Sequence, residues 1–408
     1  PDLPPDEKGN LLGECDLIMS FLMYNDITEM SRLHRSASRQ MTRSVVTIRN
    51  VGSWTFGSPS VLMMYYRAAG ELEKEMAEMN DCMPHYYKIT NGHGLGAELV
   101  MAAEAAFNKG NFDDAAIILE RARIKISQSQ QQNMALCCDF LALRLSLCGY
   151  EKFNYDFAEK RDMLLKSHDT VLLNLLESTE AYYYALLGLP EKIPAVFRNH
   201  RLNTLNYFAP CKPMMEMFEN QAYLTQGKYT KVIGRSEALL DVCEKLHYAL
   251  VVLHIRLQMA AAYEKIGQRD NAKLILVKCL EMASVDGFLM PFVENYHYLS
   301  PVLAEVQVPD IKAFVDKIIV WGKRYDACCL NLRREHCRPV CAERLTDREL
   351  DLAYMLAGHL TNKEIAERLF LSEGTVKQYA NKIYAKLHLE GNGRSKRKQL
   401  SELFSGKN

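Results

Sequence analysis

Three residues near the carboxy-terminal end of this 408-residue chain carry side chains able to read nucleic-acid bases: Lys377, Gln378 and Asn381. An ammonium group donates to the acceptors of guanine, and a side-chain amide matches the two-point donor and acceptor edge of adenine in the major groove. Thr375, Lys382, Lys363 and Arg394 add hydroxyl and cationic groups suited to phosphate oxygens. The charge pattern agrees. The whole chain is neutral, with 50 basic and 50 acidic residues, so it is not a general binder of polyanions. Residues 373–408 nevertheless carry a net charge of +5, against −2 for residues 342–372. A phosphate backbone would lie at the positive end.

Residues 345–387 must position these groups, and they read as three short helices. The first opens on a capping box, Thr346 with Glu349, and is expected to stop at Gly358 in the left-handed geometry of a helix end. A second capping box, Thr361 with Glu364, opens a helix that runs only to about Leu369. Ser372 caps a third helix that continues to about Leu387. Two helices across a three-residue turn, the second longer and basic, describe a helix-turn-helix. Leu352, Leu356, Ile365, Ala366, Leu369, Leu371, Val376, Ile383 and Leu387 fit a small core. Val376, Ile383 and Leu387 share one face of the third helix, leaving Thr375, Lys377, Gln378, Asn381 and Lys382 outward near its amino-terminal half.

This stretch resembles the LuxR-type (NarL/FixJ-like) DNA-binding domain. The matching residues are Leu345-Thr346-x-Arg348-Glu349, Asn362-Lys363-Glu364-Ile365-Ala366, Leu369, Ser372, Thr375-Val376-Lys377, Ile383 and Lys386-Leu387. The resemblance implies that Lys377, Gln378 and Asn381 face bases in double-stranded DNA. Two departures stand out. Tyr379 replaces the usual His, and Glu390-Gly391-Asn392-Gly393 is inserted before a basic fourth helix, about 394–404. In the family that helix often forms a dimer contact.

The rest of the chain supplies no recognisable catalytic chemistry. There is no P-loop, no G-x-S-x-G elbow and no H-E-x-x-H, and the segment from Gly92 to Gly96 follows no strand. No acidic pair has a spacing tied to acid–base work, so neither an enzyme nor a cofactor is expected. Twelve cysteines in a long chain, including the adjacent pairs 137–138 and 328–329, read as reduced thiols of a cytoplasmic protein and not as a disulfide framework. Cys328, Cys329, His336, Cys337 and Cys341 lack paired C-x2-C spacing, so no metal site is expected. No apolar run reaches eighteen residues, so no membrane partner is expected.

Residues 1–10 are polar and Pro-rich and read as a frayed start. From residue 11 to about 308 nearly every segment reads helical. Gly70, Gly110, Gly149, Gly188, Gly227 and Gly267 recur every 39 or 40 residues, four of them with Tyr four positions earlier (Tyr66, Tyr184, Tyr223, Tyr263). Each unit is expected to be a helix, a tight turn at Gly and an antiparallel return helix. Ala115 and Ala272 allow close approach. Units stack because one pair cannot bury its own apolar stripe. An earlier pair turns at Asn25-Asp26, making about seven pairs. The array resembles tetratricopeptide repeats with a longer period. Three loops, 51–60, 91–96 and 204–213, carry Trp54, Phe56, His93, Tyr207 and Phe208, aromatics that suit a ligand or partner or that plug gaps between repeats.

A closing segment, Ala283-Ser-Val-Asp-Gly287-Phe288 with Phe292, widens the resemblance to MalT-like bacterial regulators. That resemblance implies a transcription regulator whose repeat array binds a small-molecule or protein effector. It also implies a signal-transducing NTPase domain, expected to precede Pro1. The expected organisation is all-α: a tetratricopeptide-like helix-pair solenoid over 1–308, a helical linker over 309–341 containing an amphipathic helix, and a LuxR-type domain over 342–408. Engagement of neighbouring half-sites implies a homodimer on DNA. The alternative is a protein-interaction scaffold whose carboxy-terminal domain has lost its DNA role.

Overall fold

The computed structural model describes residues 3–46, 48, 54–129, 131–150, 153–205, 207–336 and 344–404. Every regular element among them is helical. In chain order they are α1 (Pro5–Leu22), α2 (Ile27–Gln40), α3 (Val61–Tyr65), α4 (Leu72–Thr90), α5 (Ala97–Asn108), α6 (Phe112–Ser127), α7 (Gln132–Leu147), α8 (Phe157–Ser167), α9 (Thr170–Leu186), α10 (Ala195–Arg198) and α11 (Lys212–Thr225). They continue with α12 (Tyr229–Lys245), α13 (Ala249–Lys265), α14 (Arg269–Ser284), α15 (Met290–Val293), α16 (Tyr296–Leu303), α17 (Lys312–His336), α18 (Asp347–Ala357), α19 (Asn362–Leu369), α20 (Glu373–Lys386) and α21 (Gly393–Phe404). The fold is all-α, as the helical periodicity implies. The chain divides into two compact units, Pro1–Cys329 and Leu330–Asn408, with the division inside α17.

The start is not frayed. Helix α1 opens at Pro5, whose fixed φ suits the first helical position and whose missing N–H costs nothing there.

In the larger unit the recurring glycines are the turns. All six have φ between 69° and 87°, a region closed to most side chains. The residue after the glycine donates its N–H to the carbonyl five positions back: Asn111 to Ala106, Tyr150 to Leu145, Leu189 to Tyr184, Lys228 to Tyr223 and Gln268 to Tyr263. This is the six-residue closure of a Schellman end, and in three of the five the receiving carbonyl belongs to the recurring Tyr. The pairs α5/α6, α11/α12 and α13/α14 turn within a few residues at Gly110, Gly227 and Gly267. Ala115 and Ala272 are fully buried where their helices meet.

Three units depart from the pattern: after Gly149 the next helix, α8, begins only at Phe157. At Gly70 the outgoing helix is only the five-residue α3. After Gly188, Pro190 and Pro194 break the return path into a 3₁₀ turn and the single turn α10, because each proline removes a donor and crowds the preceding turn.

The closing segment crosses the row of turns. Asp286 Oδ2 accepts from both the Tyr66 hydroxyl and the Gly70 N–H, each at 2.6 Å. Phe288 packs on the Tyr66 ring at 5.0 Å, and Leu289 donates its N–H to the Asn108 carbonyl at 2.8 Å while covering Gly110. The first part of α17 follows: Trp321 meets Phe112 edge-on at 4.8 Å, Gly322 admits the Tyr296 ring, and Cys328 covers Gly149. Apart from the Gly322–Tyr296 contact, these join residues some two hundred positions apart, beyond the neighbour-to-neighbour stacking of a plain solenoid.

At the centre is a buried ion pair. Arg144 Nε on α7 donates to Glu294 Oε1 at 2.7 Å, and the Tyr182 hydroxyl of α9 donates to Glu294 Oε2 at 3.1 Å. The guanidinium also lies over the Phe107 ring at 4.6 Å. Side-chain exposure is 2% and 0%, so neither charge has water to replace its partner. Replacing Arg144 by Met should therefore destabilise the larger unit by about 3–5 kcal/mol, because Glu294 is left buried and unpaired; replacing both by Met should recover part of the loss. Denaturant unfolding checks this, and a single variant as stable as the parent would refute it.

Candidate nucleic-acid interface

The smaller unit builds its helix-turn-helix from local signals. Thr346 Oγ1 accepts from the Glu349 N–H at 3.4 Å, and Glu349 Oε2 accepts from the Thr346 N–H at 2.9 Å. The second box repeats this at Thr361 and Glu364, at 3.2 and 2.6 Å. Ser372 Oγ accepts from the Thr375 N–H at 3.0 Å and opens α20. The three-residue turn is Phe370-Leu371-Ser372, with Phe370 in the left-handed region at φ 53°.

One expected stop is displaced. Gly358 keeps φ −75°, and His359 takes the left-handed conformation at φ 63°. The reason is register. Leu360 packs against the core, and its N–H closes onto the Met355 carbonyl at 3.2 Å, which puts the reversal one residue later than the glycine.

The core contains all the residues expected of it, with Leu369 and Leu371 partly buried at its edge. It also takes Leu345, Ala353, Ala380, Tyr384, Leu389, Leu400 and Phe404. The last two come from α21, and Phe404 meets Tyr354 edge-on at 5.0 Å. Helix α21 is therefore part of the core. Its Arg397 is committed there too, donating to the carbonyls of Leu356 and Leu360 at the end of α18. Such a cation satisfies orphan carbonyls and complements the helix dipole.

With Val376, Ala380, Ile383 and Tyr384 buried, α20 turns its opposite face outward. Lys377, Gln378, Asn381 and Lys382 are all exposed there. Gly374 and Ala385 lie on the same face and keep it low, so another surface can approach closely. Lys363 is exposed in the first turn of α19 and Arg394 near the start of α21. Thr375 differs from the rest of the set. It is half-buried, and its hydroxyl hydrogen-bonds to Ser372 Oγ at 2.8 Å. Sequence reasoning missed Arg348, whose guanidinium lies 5.8 Å from the Tyr379 ring and brings a cation beside α20. Its signal is a basic residue inside an acidic first helix.

Lys386 has a structural role. Its ammonium contacts Glu349 Oε2 at 2.5 Å, tying the end of α20 to the start of α18. That cation, with the Thr346 donors, holds the Glu349 carboxyl below its ordinary range. The capping donors of Thr361 do the same for Glu364.

The five aromatic candidates in the larger unit are only partly brought together, and Phe208 is exposed and not among the residues that line the Trp54 cavity. Trp54, Phe56 and His93 line one cavity of about 70 Å³ with His34, Cys82 and Tyr86. Gly94 makes room for the Trp54 indole, since a Cβ there would come within 2.3 Å of it. The Tyr86 hydroxyl bonds His93 Nδ1 at 2.7 Å, and His34 bridges Cys82 Sγ and Ser20 Oγ at 2.9 Å each. Burial drives the His34 imidazole down to about 3 and the Cys82 thiol up to about 12, so both are neutral near pH 7. Among the described residues that line the cavity there is no Asp, Glu, Lys or Arg. Tyr207 is not among its lining residues; its hydroxyl bonds Ser178 Oγ at 2.9 Å. Residues 51–53 and Asn206 of the loops lie outside the described residues, as do Cys337 and Cys341 of the cysteine cluster. Among the described residues, no helix is long and apolar enough to cross a membrane.

Residues 343–393 match the family described as bacterial regulatory proteins, luxR family. The same stretch is shared with the DNA-binding transcriptional activator DevR/DosR of Mycobacterium tuberculosis, 52% identical over 46 residues, which is 11% of this chain and 21% of that protein. It is also shared with the transcriptional regulatory protein LnrK of Bacillus subtilis, 49% identical over 43 residues, 10% of this chain and 20% of that protein. The chain thus spans about one fifth of the length of the curated relatives it matches. Its carboxy-terminal part is a luxR-family helix-turn-helix, a DNA-binding domain of transcription regulators.

Glu349→Ala should destabilise the smaller unit by about 1–2 kcal/mol, through loss of the cap and of a partly exposed ion pair. A depressed carboxyl contributes stability that is present above its unfolded value, near 4.5, and is lost as pH falls through the folded value. Stability of the wild-type unit should therefore drop as pH falls from about 4.5, and less steeply in Glu349→Gln. Hydrogen exchange of the α18 and α20 amides reads both effects, and an Ala variant exchanging like the wild type would contradict them.

Proposed function

We propose that this chain is a transcription regulator in which the helical array receives a signal and controls how the luxR-family domain engages double-stranded DNA. The observation that carries the reading is the outward face of α20, where Lys377, Gln378 and Asn381 stand exposed on a helix fixed by its cap and core. In this reading those three contact base edges in the major groove, while Lys382, Lys363 and Arg394 lie toward phosphates. The Thr375 hydroxyl, already engaged by Ser372, serves mainly the helix start. Two copies bind neighbouring half-sites as a homodimer.

The array is the sensing part. Trp54, Phe56 and His93 form the effector site, and its neutral lining suits a small uncharged molecule. The volume is well below the ~300–1,000 Å³ of drug-sized sites, which excludes a large ligand without rearrangement. An effector acts only through a preference for one arrangement of the protein over another.

Asn381→Ala or Gln378→Ala should each lower discrimination for the preferred site by about 1–3 kcal/mol. Lys382→Ala should weaken binding to all sequences alike and reduce the salt slope by about one. Selection from random DNA at two salt concentrations, followed by titration of the variants, separates the two outcomes. Equal effects from both kinds of variant would refute the roles assigned. For the array, a bound uncharged effector should change Trp54 emission, and the change should vanish in Trp54→Phe; a screen of small uncharged molecules giving no such change would remove the cavity from the proposal.

A further inference from the structure

Helix α1 is apolar on two faces. One packs inward through Leu17, Gly13 and Ser20. The other presents Leu11, Leu12, Ile18, Met19 and Leu22, each 41–61% exposed, around an exposed Cys15. On a 3.6-residue helix these six positions fall within an arc of about 120° centred on Cys15. The acidic neighbours do not interrupt it. Glu14 accepts from Arg43 at 2.9 Å and Asp16 from Gln40 at 3.0 Å, so both lean toward the body of the array.

The charges at the two ends of the stripe identify the occupant. The stripe is symmetric about Cys15: Leu12 and Ile18 lie three residues to either side, Leu11 and Met19 four, Lys8 and Leu22 seven. We infer that α1 pairs with α1 of a second copy of this chain, antiparallel, about a two-fold axis at Cys15. Leu11 then meets Met19 of the second copy, and Leu12 meets Ile18. Lys8 reaches the carboxy-terminal end of the opposite helix, where the dipole favours a cation and the last turn holds no basic residue. A parallel pair would instead place the acidic first turns, Asp6 and Glu7, side by side. The contact is isologous and closes at two copies. Six half-exposed side chains in one stripe amount to several hundred Å², approaching the roughly 800 Å² that each partner buries in a stable interface. The inference rests on the array alone and does not depend on DNA binding.

The test uses the whole chain without DNA. Light scattering after gel filtration should give a dimer at low micromolar concentration. Leu11→Glu/Ile18→Glu should weaken association by about a hundredfold, because it buries unpaired charge, while its thermal melt matches the wild type since both residues are exposed. A short bis-maleimide should join two wild-type chains through Cys15, and not join Cys15→Ser or the double variant. A wild-type chain that stays monomeric up to about 100 μM overturns the inference and leaves the stripe to a different helical segment. A dimer indifferent to the double variant and unlinked at Cys15 overturns it equally. Titration of each variant with DNA, read separately, keeps this outcome apart from that of the regulatory reading.

Discussion

A guanidinium and a carboxylate with almost no exposure are retained only where each holds the other and fixed groups replace most of the lost water, as with Arg144 and Glu294, where Arg144 Nη2 alone is left without a hydrogen-bond partner. Arg144 comes from α7, Glu294 caps α15, and Tyr182 of α9 completes the group. The pair determines where the closing segment lies on the array. With Glu294 held, Asp286 meets Tyr66 and Gly70, Leu289 meets Gly110, and α17 runs on over Phe112 and Gly149. Early and late helices also meet elsewhere, where Ala249 donates its N–H to the Tyr66 carbonyl and the Asn25 amide donates to the Leu246 carbonyl, and the last segment adds further bridges to the early turns.

The smaller unit is stabilised differently. Its core is small, so more of its definition comes from helix ends. Two capping boxes, a Ser cap, the Glu349–Lys386 pair and Arg397 on the α18 carbonyls satisfy groups that short helices leave open. The result is a helix, α20, whose orientation is fixed by its buried side and its ends, leaving Lys377, Gln378, Asn381 and Lys382 exposed on its outward face.

The chemistry of the larger unit is correspondingly quiet. Burial holds the thiols of Cys82, Cys137 and Cys211 above their ordinary range and the imidazoles of His34 and His254 below theirs, so these groups stay neutral near pH 7. Beside them the interior holds the charged Arg144–Glu294 pair and the carboxyls of Glu75 and Glu104, which burial pushes up to about 7. The aromatic cavity at Trp54, Phe56 and His93 belongs to that interior.

The sequence by itself determined what is written within a few residues. Capping boxes act between positions three apart, the Gly–Tyr turn between positions four and five apart, and the apolar stripe of α20 follows one helical period; each is legible because its partners are neighbours in the chain. The outward face of α20 and the all-α class follow from these alone. Tertiary structure decided the rest. It joined Asp286 to Tyr66, Lys386 to Glu349 and Arg397 to α18, and it brought Trp54 to His93 while leaving Tyr207 out of their cavity. It placed the left-handed residue after α18 at His359 and not at the capping Gly358, because Leu360 had to reach the core. These partners lie at no fixed spacing, and their meeting depends on how helices stack, which no local pattern of residue types encodes.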